Sequence, residues 1–222
     1  MIDKKKCEQH LRNGLAQMGI TIDDKKVDQL LTYLGALVKW NKAYNLSAIR
    51  EPIAMVEKHL LDSLTLLPYF NEAIQQSNTE DPLRQIIDVG TGGGLPGIPL
   101  AIIFPDTGVT LLDSNGKKTR FLFQVKTELG LSNVNVENAR VESYLPDQLF
   151  DIVVSRAFAS LHDMVTGTQH LLRDGGQYWA MKGIYPEKEL SDCKKHAIVE
   201  AFYPLQVPNV EGERHLLILN KV

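Results

Sequence analysis

The segment 86–97 constrains the fold of this chain more than any other part of the sequence. It reads Ile-Ile-Asp-Val-Gly-Thr-Gly-Gly-Gly-Leu-Pro-Gly, so that an apolar run is followed by five glycines within eight residues. A second apolar run, 98–103, comes directly after it. Glycines at a strand-to-helix turn let the backbone curl tightly and let a ligand approach main-chain N–H groups. The segment therefore predicts a buried strand, a ligand-binding turn and the start of a helix.

Two opposite charges are expected at this turn. A helix N-terminus carries a partial positive charge that suits a carboxylate or a phosphate. Asp88 adds a negative charge at the same place, which attracts an ammonium group and repels a pyrophosphate. A ligand that carries both charges, such as the methionyl end of S-adenosylmethionine, therefore fits better than a dinucleotide.

A dinucleotide site is the main alternative, because Gly92, Gly94 and Gly97 also satisfy the pattern G-x-G-x-x-G. Both interpretations need an acid after the next strand to hold a ribose, and Asp113 occupies that place. The roughly 125 residues that follow Gly97 suffice for one sheet, whereas a dehydrogenase normally has a second substrate domain. A structural turn without a ligand is the other alternative.

From residue 83 onward, short apolar strands alternate with helices. Strands are predicted at 85–89, 109–113, 133–137, 149–154, 177–181, 197–203 and 215–220, and helices at 96–104, 116–130, 160–172 and 186–195. This alternation predicts a mainly parallel sheet with helices on both faces. No helix joins the last two strands, so we expect an antiparallel hairpin there. A seven-stranded, Rossmann-like α/β sheet that ends in such a hairpin resembles the class I S-adenosylmethionine-dependent methyltransferases.

The first 82 residues follow a different pattern. Three apolar stripes, at 7–18, 27–38 and 53–67, have the three-and-four spacing of amphipathic helices. The polar stretch 75–82 ends in a proline and predicts a linker. The sequence thus predicts a small helical N-terminal region at 1–82 and a methyltransferase-type domain at 83–222.

The composition is that of an ordinary globular protein. Among 222 residues, 44% are hydrophobic and 23% are charged, and the net charge of −3 gives no overall basic footprint for a nucleic acid. Cys7 and Cys193 lack metal-ligand spacing and favour a reducing compartment. The sequence contains neither a signal-peptide pattern nor an apolar run long enough to span a membrane. We therefore expect a cytoplasmic protein, monomeric and without membrane contact.

Ligands of such sheets bind outside the carboxyl ends of the strands, so the residues after each strand predict the site. Asp113 is expected to accept hydrogen bonds from ribose hydroxyls, and Val141 and Glu142 to border the adenine. Arg156 follows the fourth strand, where the methyl group and its acceptor would meet. The alternatives are a helix N-cap role for Asp113, and for Arg156 a surface position or an ion pair with Asp88 or Glu142.

The chain lacks the sequence motifs of methyltransferases whose acceptor atom has to be activated before methyl transfer. No D/N-P-P-Y/F sequence follows the fourth strand, and neither cysteine follows the fourth or fifth strand as a nucleophile. An acceptor that is already nucleophilic, such as the lone pair of a ring nitrogen, needs neither this motif nor a cysteine nucleophile. Catalysis then consists of aligning the acceptor with the sulfonium, which is worth roughly 7–11 kcal/mol. We therefore predict no acid, base, nucleophile or metal, and Arg156 as a positioning residue.

Several short segments match one known family in order along the chain. They are 40–47, 49–50, 59–64, 88–97, 112–114, 117–118, 121–122, 155–157, 181–183 and 214–216. On these segments the chain resembles the small-subunit ribosomal RNA methyltransferase G family, also called glucose-inhibited division protein B. Departures are small: Lys118 stands where arginine is commoner in the family, and Ser47 where threonine is.

The resemblance implies methylation of N7 of one guanosine in the decoding region of 16S ribosomal RNA, with S-adenosylmethionine as cofactor. It also implies 16S rRNA or an assembling small ribosomal subunit as the partner. Guanine N7 is a ring lone pair outside Watson–Crick pairing, which agrees with the missing general base. Together with the strand-end argument, the predicted cofactor-binding residues are Asp88, Gly90, Gly92, Leu95, Asp113, Ser114, Asn115, Val141, Glu142 and Arg156.

Basic residues around the expected site are the candidates for RNA contact. They are Arg50, Lys117, Lys118, Arg120, Lys182 and Arg214. We expect them to form a local positive patch despite the net charge, although a solvated helix face is the alternative for the cluster at 117–120. Two other functions stay open. One is a small-metabolite methyltransferase with the N-terminal helices as a lid, and the other is a non-enzymatic binding module with a vestigial pocket.

Overall fold

The N-terminal region is helical, as its apolar stripes predict. The computed structural model describes residues 2–76, 85–156, 158, 160–184, 186–193 and 195–222. The N-terminal elements are α1 (Lys4–Gln17), α2 (Asp24–Tyr44), α3 (Pro52–Met55), a π-helical segment (Val56–Leu61), α4 (Asp62–Leu64) and α5 (Leu67–Gln76). The predicted boundary between 82 and 83, and most of the predicted linker at 75–82, lie outside the described residues.

The third apolar stripe, predicted to be one helix, is divided between two. A continuous helical stretch ends at Leu64, and α5 begins at Leu67, although both residues belong to the same stripe. Pro68 has no backbone N–H and is tolerated only in the first turn of a helix, so a new helix has to start beside it. The hydroxyl of Thr65 donates to the Asp62 carbonyl at 2.6 Å and satisfies a carbonyl where the first helix ends.

The sheet confirms the predicted class of fold. Its strands are β1 (Gln85–Val89), β2 (Gly108–Leu112), β3 (Val134–Glu137), β4 (Phe150–Ser155), β5 (Leu172–Lys182), β6 (Ala197–Pro204) and β7 (His215–Lys221). Their order is β3-β2-β1-β4-β5-β7-β6. Strands β1 to β5 pair in parallel, whereas β7 is antiparallel to both of its neighbours. The strand order reverses between β1 and β4, which is where ligands bind in open α/β sheets.

Helices cover both faces of this sheet. They are α6 (Gly97–Ile103), α7 (Gly116–Leu129), α8 (Leu161–Thr168) and α9 (Glu187–Cys193), with a short 3-10 turn at Val141–Ser143. One hydrophobic cluster joins the N-terminal helices, α6 and α7 to one face of the sheet. A second cluster joins α8 and α9 to the other face. No helix of the described ranges is both long and apolar enough to cross a membrane.

Strand β5 is longer than its predicted span of 177–181. It begins at Leu172 and runs through Gly175 and Gly176, and its pairing with β4 shifts register between Phe150 and Ile152. Gly175 has a φ of 76°. Glycines inside a strand typically mark such an irregularity. Because Asp174 and the two glycines interrupt the apolar run, the sequence pattern does not indicate that the strand begins at Leu172.

Helix α2 supports the glycine turn directly. The Tyr33 side chain is fully buried, and its hydroxyl donates to the Gly93 carbonyl at 2.6 Å. The Gln29 side-chain amide donates to the Leu129 carbonyl at the end of α7. Leu37 packs beside Gly93 within the larger hydrophobic cluster. The N-terminal region is therefore part of the framework that holds the turn.

We expect Tyr33→Phe to lower the free energy of unfolding by about 1–3 kcal/mol, because it leaves the buried Gly93 carbonyl without its hydrogen bond. Tyr178→Phe is the matched control. The Tyr178 hydroxyl is also buried but has no hydrogen-bond partner in the described part of the chain. Its removal should leave stability unchanged or raise it. Urea denaturation compares the two variants, and equal losses would contradict the role given to the Tyr33 hydroxyl.

Candidate active site

The glycine turn is organised around the carboxylate of Asp88. The fully buried Asp88 accepts hydrogen bonds at Oδ2 from Thr91 Oγ1 at 2.7 Å and from Gly97 N at 2.8 Å. A Cβ at position 97 would collide with Leu111 and lie 2.9 Å from Asp88 Oδ2, so only glycine allows this approach. Burial raises the pKa of Asp88 to about 6, against the opposing effect of the two hydrogen bonds. Asp88 thus fixes the shape of the turn.

Asp113, at the end of β2, joins three parts of the site. Its Oδ2 accepts from Gly92 N at 3.0 Å and from Lys118 Nζ at 3.3 Å, and its Oδ1 accepts from Asn115 N at 2.9 Å. The N-cap of α7 is Asn115, which accepts from Lys117 N, so Asp113 is not the cap. An ionised carboxylate has about four lone-pair directions, and one therefore remains for a ligand hydroxyl.

A cavity of about 340 Å³ lies beside Asp113, and we call it the Asp113 cavity. Its lining includes predicted cofactor residues, namely Gly90, Asp113, Ser114, Val141 and Glu142. The remaining predicted cofactor residues lie elsewhere. Gly92 and Asn115 bind the Asp113 carboxylate, Asp88 and Leu95 are buried, and Arg156 lines a neighbouring cavity.

That neighbouring cavity, of about 350 Å³, is here called the Arg156 cavity. Arg156 NH1 donates to Asp62 Oδ2 at 2.9 Å and to the Lys58 carbonyl at 3.3 Å. Arg214 Nε donates to Asp62 Oδ1, also at 2.9 Å. Arg156 therefore forms an ion pair with Asp62, and not with Asp88 or Glu142, the partners that the sequence analysis gave as one alternative to a positioning role. One buried carboxylate on the helix that continues from the π segment holds both guanidinium groups.

His59 lies on the π-helical segment and faces the same cavity. Its Nδ1 donates to the Lys58 carbonyl at 2.9 Å, which leaves Nε2 to accept from the Ser47 hydroxyl at 2.7 Å. Burial, together with the positive charge of Arg156, lowers the pKa of His59 to about 4. The ring is therefore neutral near pH 7. Segments of π-helix occur frequently at functional sites, because they re-aim side chains of an otherwise regular helix.

The six predicted RNA-facing residues divide into two groups. Arg50, Lys117 and Arg120 are exposed, and Arg50 donates to Asn45 Oδ1. The other three are engaged within the site: Lys118 lines the Asp113 cavity, Lys182 Nζ donates to Phe158 O and Glu189 Oε2, and Arg214 is bound to Asp62. Only the exposed group is therefore left to form the positive patch that the sequence predicts.

Comparison with known proteins shows the family to which a chain with this site belongs. A family model described as rRNA small subunit methyltransferase G matches residues 26–217. The chain belongs to this family. A member from Cellvibrio japonicus, named ribosomal RNA small subunit methyltransferase G, is 56% identical over 209 residues, which cover 94% of this chain and 93% of that protein. A protein of the same name from Pseudomonas aeruginosa is 49% identical over 211 residues, covering 95% and 94%.

Solved structures share the fold at low sequence identity. A tRNA methyltransferase from Aquifex aeolicus superposes with a TM-score of 0.55 at 14% identity, over 73% of this chain and 68% of that one. A ribosomal protein L11 methylase from Lactobacillus delbrueckii gives 0.54 at 14% identity, over 71% and 76%. Both confirm the predicted methyltransferase architecture. In the part of the chain that the structure describes, no three His, Cys, Asp or Glu side chains are grouped to hold a metal ion.

Sequence reasoning gave no role to Asp62 or His59, although both lie within the matched segment 59–64. A signal was present, because these polar residues sit among the apolar positions of the third stripe. A charged side chain that is only 5% exposed needs a partner of opposite charge. Its partners, however, lie 94 and 152 positions away in sequence and could not be named from the stripe.

We expect Gly92→Val to weaken S-adenosylmethionine binding at least tenfold. Gly92 has a φ of 60°, and no protein atom outside its immediate neighbours lies nearer than 3.9 Å to the added Cβ, so the change acts through backbone strain and on the ligand side. Gly130→Val is the matched control, because Gly130 has a φ of 64°, open surroundings and a position at the end of α7. Both should lose about 1–3 kcal/mol of stability. Calorimetry showing equal cofactor affinity in the two variants would contradict the assignment of the turn.

Proposed function

We propose that this chain transfers the methyl group of S-adenosylmethionine to N7 of one guanosine in the decoding region of 16S rRNA. Its membership in the rRNA small subunit methyltransferase G family supports the class of substrate. The observation that carries the chemistry is a pair of cavities on the side of the sheet where the parallel strands end, one with Arg156 and the other with Asp113 in its wall, joined by the hydrogen bond from Lys182 Nζ to Phe158 O. Two cavities suit a reaction that joins two ligands.

The residues of the Asp113 cavity fit the cofactor. Its volume lies at the lower end of the range of about 300–1,000 Å³ for small-molecule sites. The Asp113 carboxylate offers an acceptor to a ribose, and Val141 and Phe158 offer apolar surface to an adenine. Asp88 Oδ1 is buried without a hydrogen-bond partner among the described residues, and an ammonium at the turn would complement it. When bound, the cofactor supplies an electrophilic methyl group on a sulfonium.

The protein contributes alignment and electrostatics. The N7 lone pair of guanine carries no proton, so no general base has to act on it. Asp62 and the Lys58 carbonyl hold Arg156 in the wall of its cavity, where it can position the acceptor. His59 is neutral at physiological pH and adds no further cation beside a sulfonium. Alignment of this kind is worth roughly 7–11 kcal/mol of the barrier.

Nucleoside analysis of 16S rRNA tests the function directly. Mass spectrometry should detect N7-methylguanosine at a decoding-region position in a strain that carries the gene. The signal should be absent after deletion and restored by complementation with the wild-type chain, but not with Gly92→Val. An unchanged level of N7-methylguanosine at that position after deletion would contradict the proposal. Methylation of a small metabolite by the purified protein, with rRNA untouched, would favour the alternative enzyme.

Exposed basic residues at the start of α7 generate a second prediction. Lys117→Ala with Arg120→Ala should weaken rRNA binding and reduce the slope of log affinity against log salt by about two units, one for each lost phosphate contact. Cofactor affinity should not change, since neither side chain lines the Asp113 cavity. Lys118 is left intact, because it lines that cavity.

The matched control for this pair lies at the opposite edge of the sheet. Lys195 and Lys221 are exposed, and the pairing of Ala197 with Lys221 places both beside the amino ends of the parallel strands. Their replacement by alanine removes the same charge far from the site and should leave rRNA affinity nearly unchanged. Equal losses in the two double variants would mean that the cluster at 117–120 is only a solvated helix face.

A further inference from the structure

The charged side chains of the Arg156 cavity differ in how far their bonding capacity is used. Both oxygens of Asp62 are taken by arginines, and both ring nitrogens of His59 are hydrogen-bonded. By contrast, Lys58 and Glu213 also line the cavity, and within the described part of the chain the side chain of neither makes a hydrogen bond or an ion pair. The ammonium of Lys58 and the carboxylate of Glu213 are therefore available as a hydrogen-bond donor and an acceptor for a ligand.

The backbone that carries Glu213 is firmly held. The neighbouring Arg214 donates from NH1 to the carbonyls of Glu211 and Gly212, while its Nε is bound to Asp62. The Glu213 carbonyl lies 3.8 Å from the Cβ position of Gly183, so the loop rests against the end of β5. Glu213 thus projects from a fixed loop, which is what a residue that selects among ligands requires.

We propose that the Arg156 cavity receives the target guanine, turned out of the RNA stack, and that Glu213 is the residue that selects guanine. This inference rests on the proposed function and names the acceptor side of the same reaction. Guanine presents two donors, N1–H and the 2-amino group, beside the acceptor O6. A carboxylate accepts both donors at once, and Lys58 donates to O6. Enzymes that modify a base commonly extrude it and read its Watson–Crick edge in this way.

The carboxylate also favours the reaction itself. The N7 lone pair forms the new bond to the methyl carbon, the carbon–sulfur bond breaks, and its electron pair stays on sulfur. No proton moves, and the positive charge passes from sulfur to the guanine ring. The N1–H and 2-amino donors of the charged ring bind a carboxylate more strongly than those of neutral guanine. Glu213 therefore stabilises the transition state more than the bound substrate.

The test compares guanosine with inosine at the target position of 16S rRNA. Inosine keeps N7, O6 and N1–H but lacks the 2-amino group. The wild-type chain should show a kcat/KM about tenfold higher for the guanosine RNA, the effect of one hydrogen bond to a charged group. Glu213→Ala should lose at least tenfold on guanosine and should methylate the two RNAs with nearly equal kcat/KM. Its cofactor affinity and urea midpoint should match those of the wild type.

Glu211→Ala is the matched control, because Glu211 is an exposed acid in the same loop and does not line the cavity. It should retain both the rate and the preference for guanosine. If Glu213→Ala keeps the wild-type preference, Glu213 is not the selecting residue, and the inference is overturned while the proposed function stands. If the wild-type chain methylates no guanosine N7 in rRNA, the proposed function fails, and the inference fails with it.

Discussion

The carboxylate of Asp62 is the interaction on which the site depends. It is buried and binds two guanidinium groups, from Arg156 after β4 and from Arg214 before β7. A buried charge of this kind is costly unless its partners satisfy it, and loss of the carboxylate would leave two cations partly buried and unpaired. One helix of the N-terminal region thereby fixes the segment after β4 and the segment before β7. The site is consequently a property of the whole chain.

The sequence predicts the sheet well, because alternation of strands and helices leaves few possible topologies. The parallel core, the terminal hairpin and the helices on both faces follow from apolar runs and from the lengths of the connections. The misplaced boundaries have local causes that an apolar pattern does not contain. Pro68 divides one apparent stripe into two helices, and the glycines at 175 and 176 conceal the start of β5.

The site is less predictable than the sheet, for a physical reason. Strand ends converge at one edge, so residues such as Gly90, Asp113 and Glu142 can be brought together from topology alone. The Arg156 cavity is built where the N-terminal helical region meets the ends of β4 and β5 and the start of β7. The ion pairs of Arg156 and Arg214 with Asp62 depend on that docking, and no spacing in the sequence encodes it.

The bond between Tyr33 and Gly93 bears on how a large substrate gains access. An N-terminal region that opened like a hinged cover would break this buried bond and divide the hydrophobic cluster shared by α2, α6 and α7. The helices therefore hold the glycine turn from behind as a fixed support. Under the proposed function, contact with the target base then requires a deformation of the RNA and not an opening of these helices. Bases that already lie outside a regular helix are then the easiest to modify.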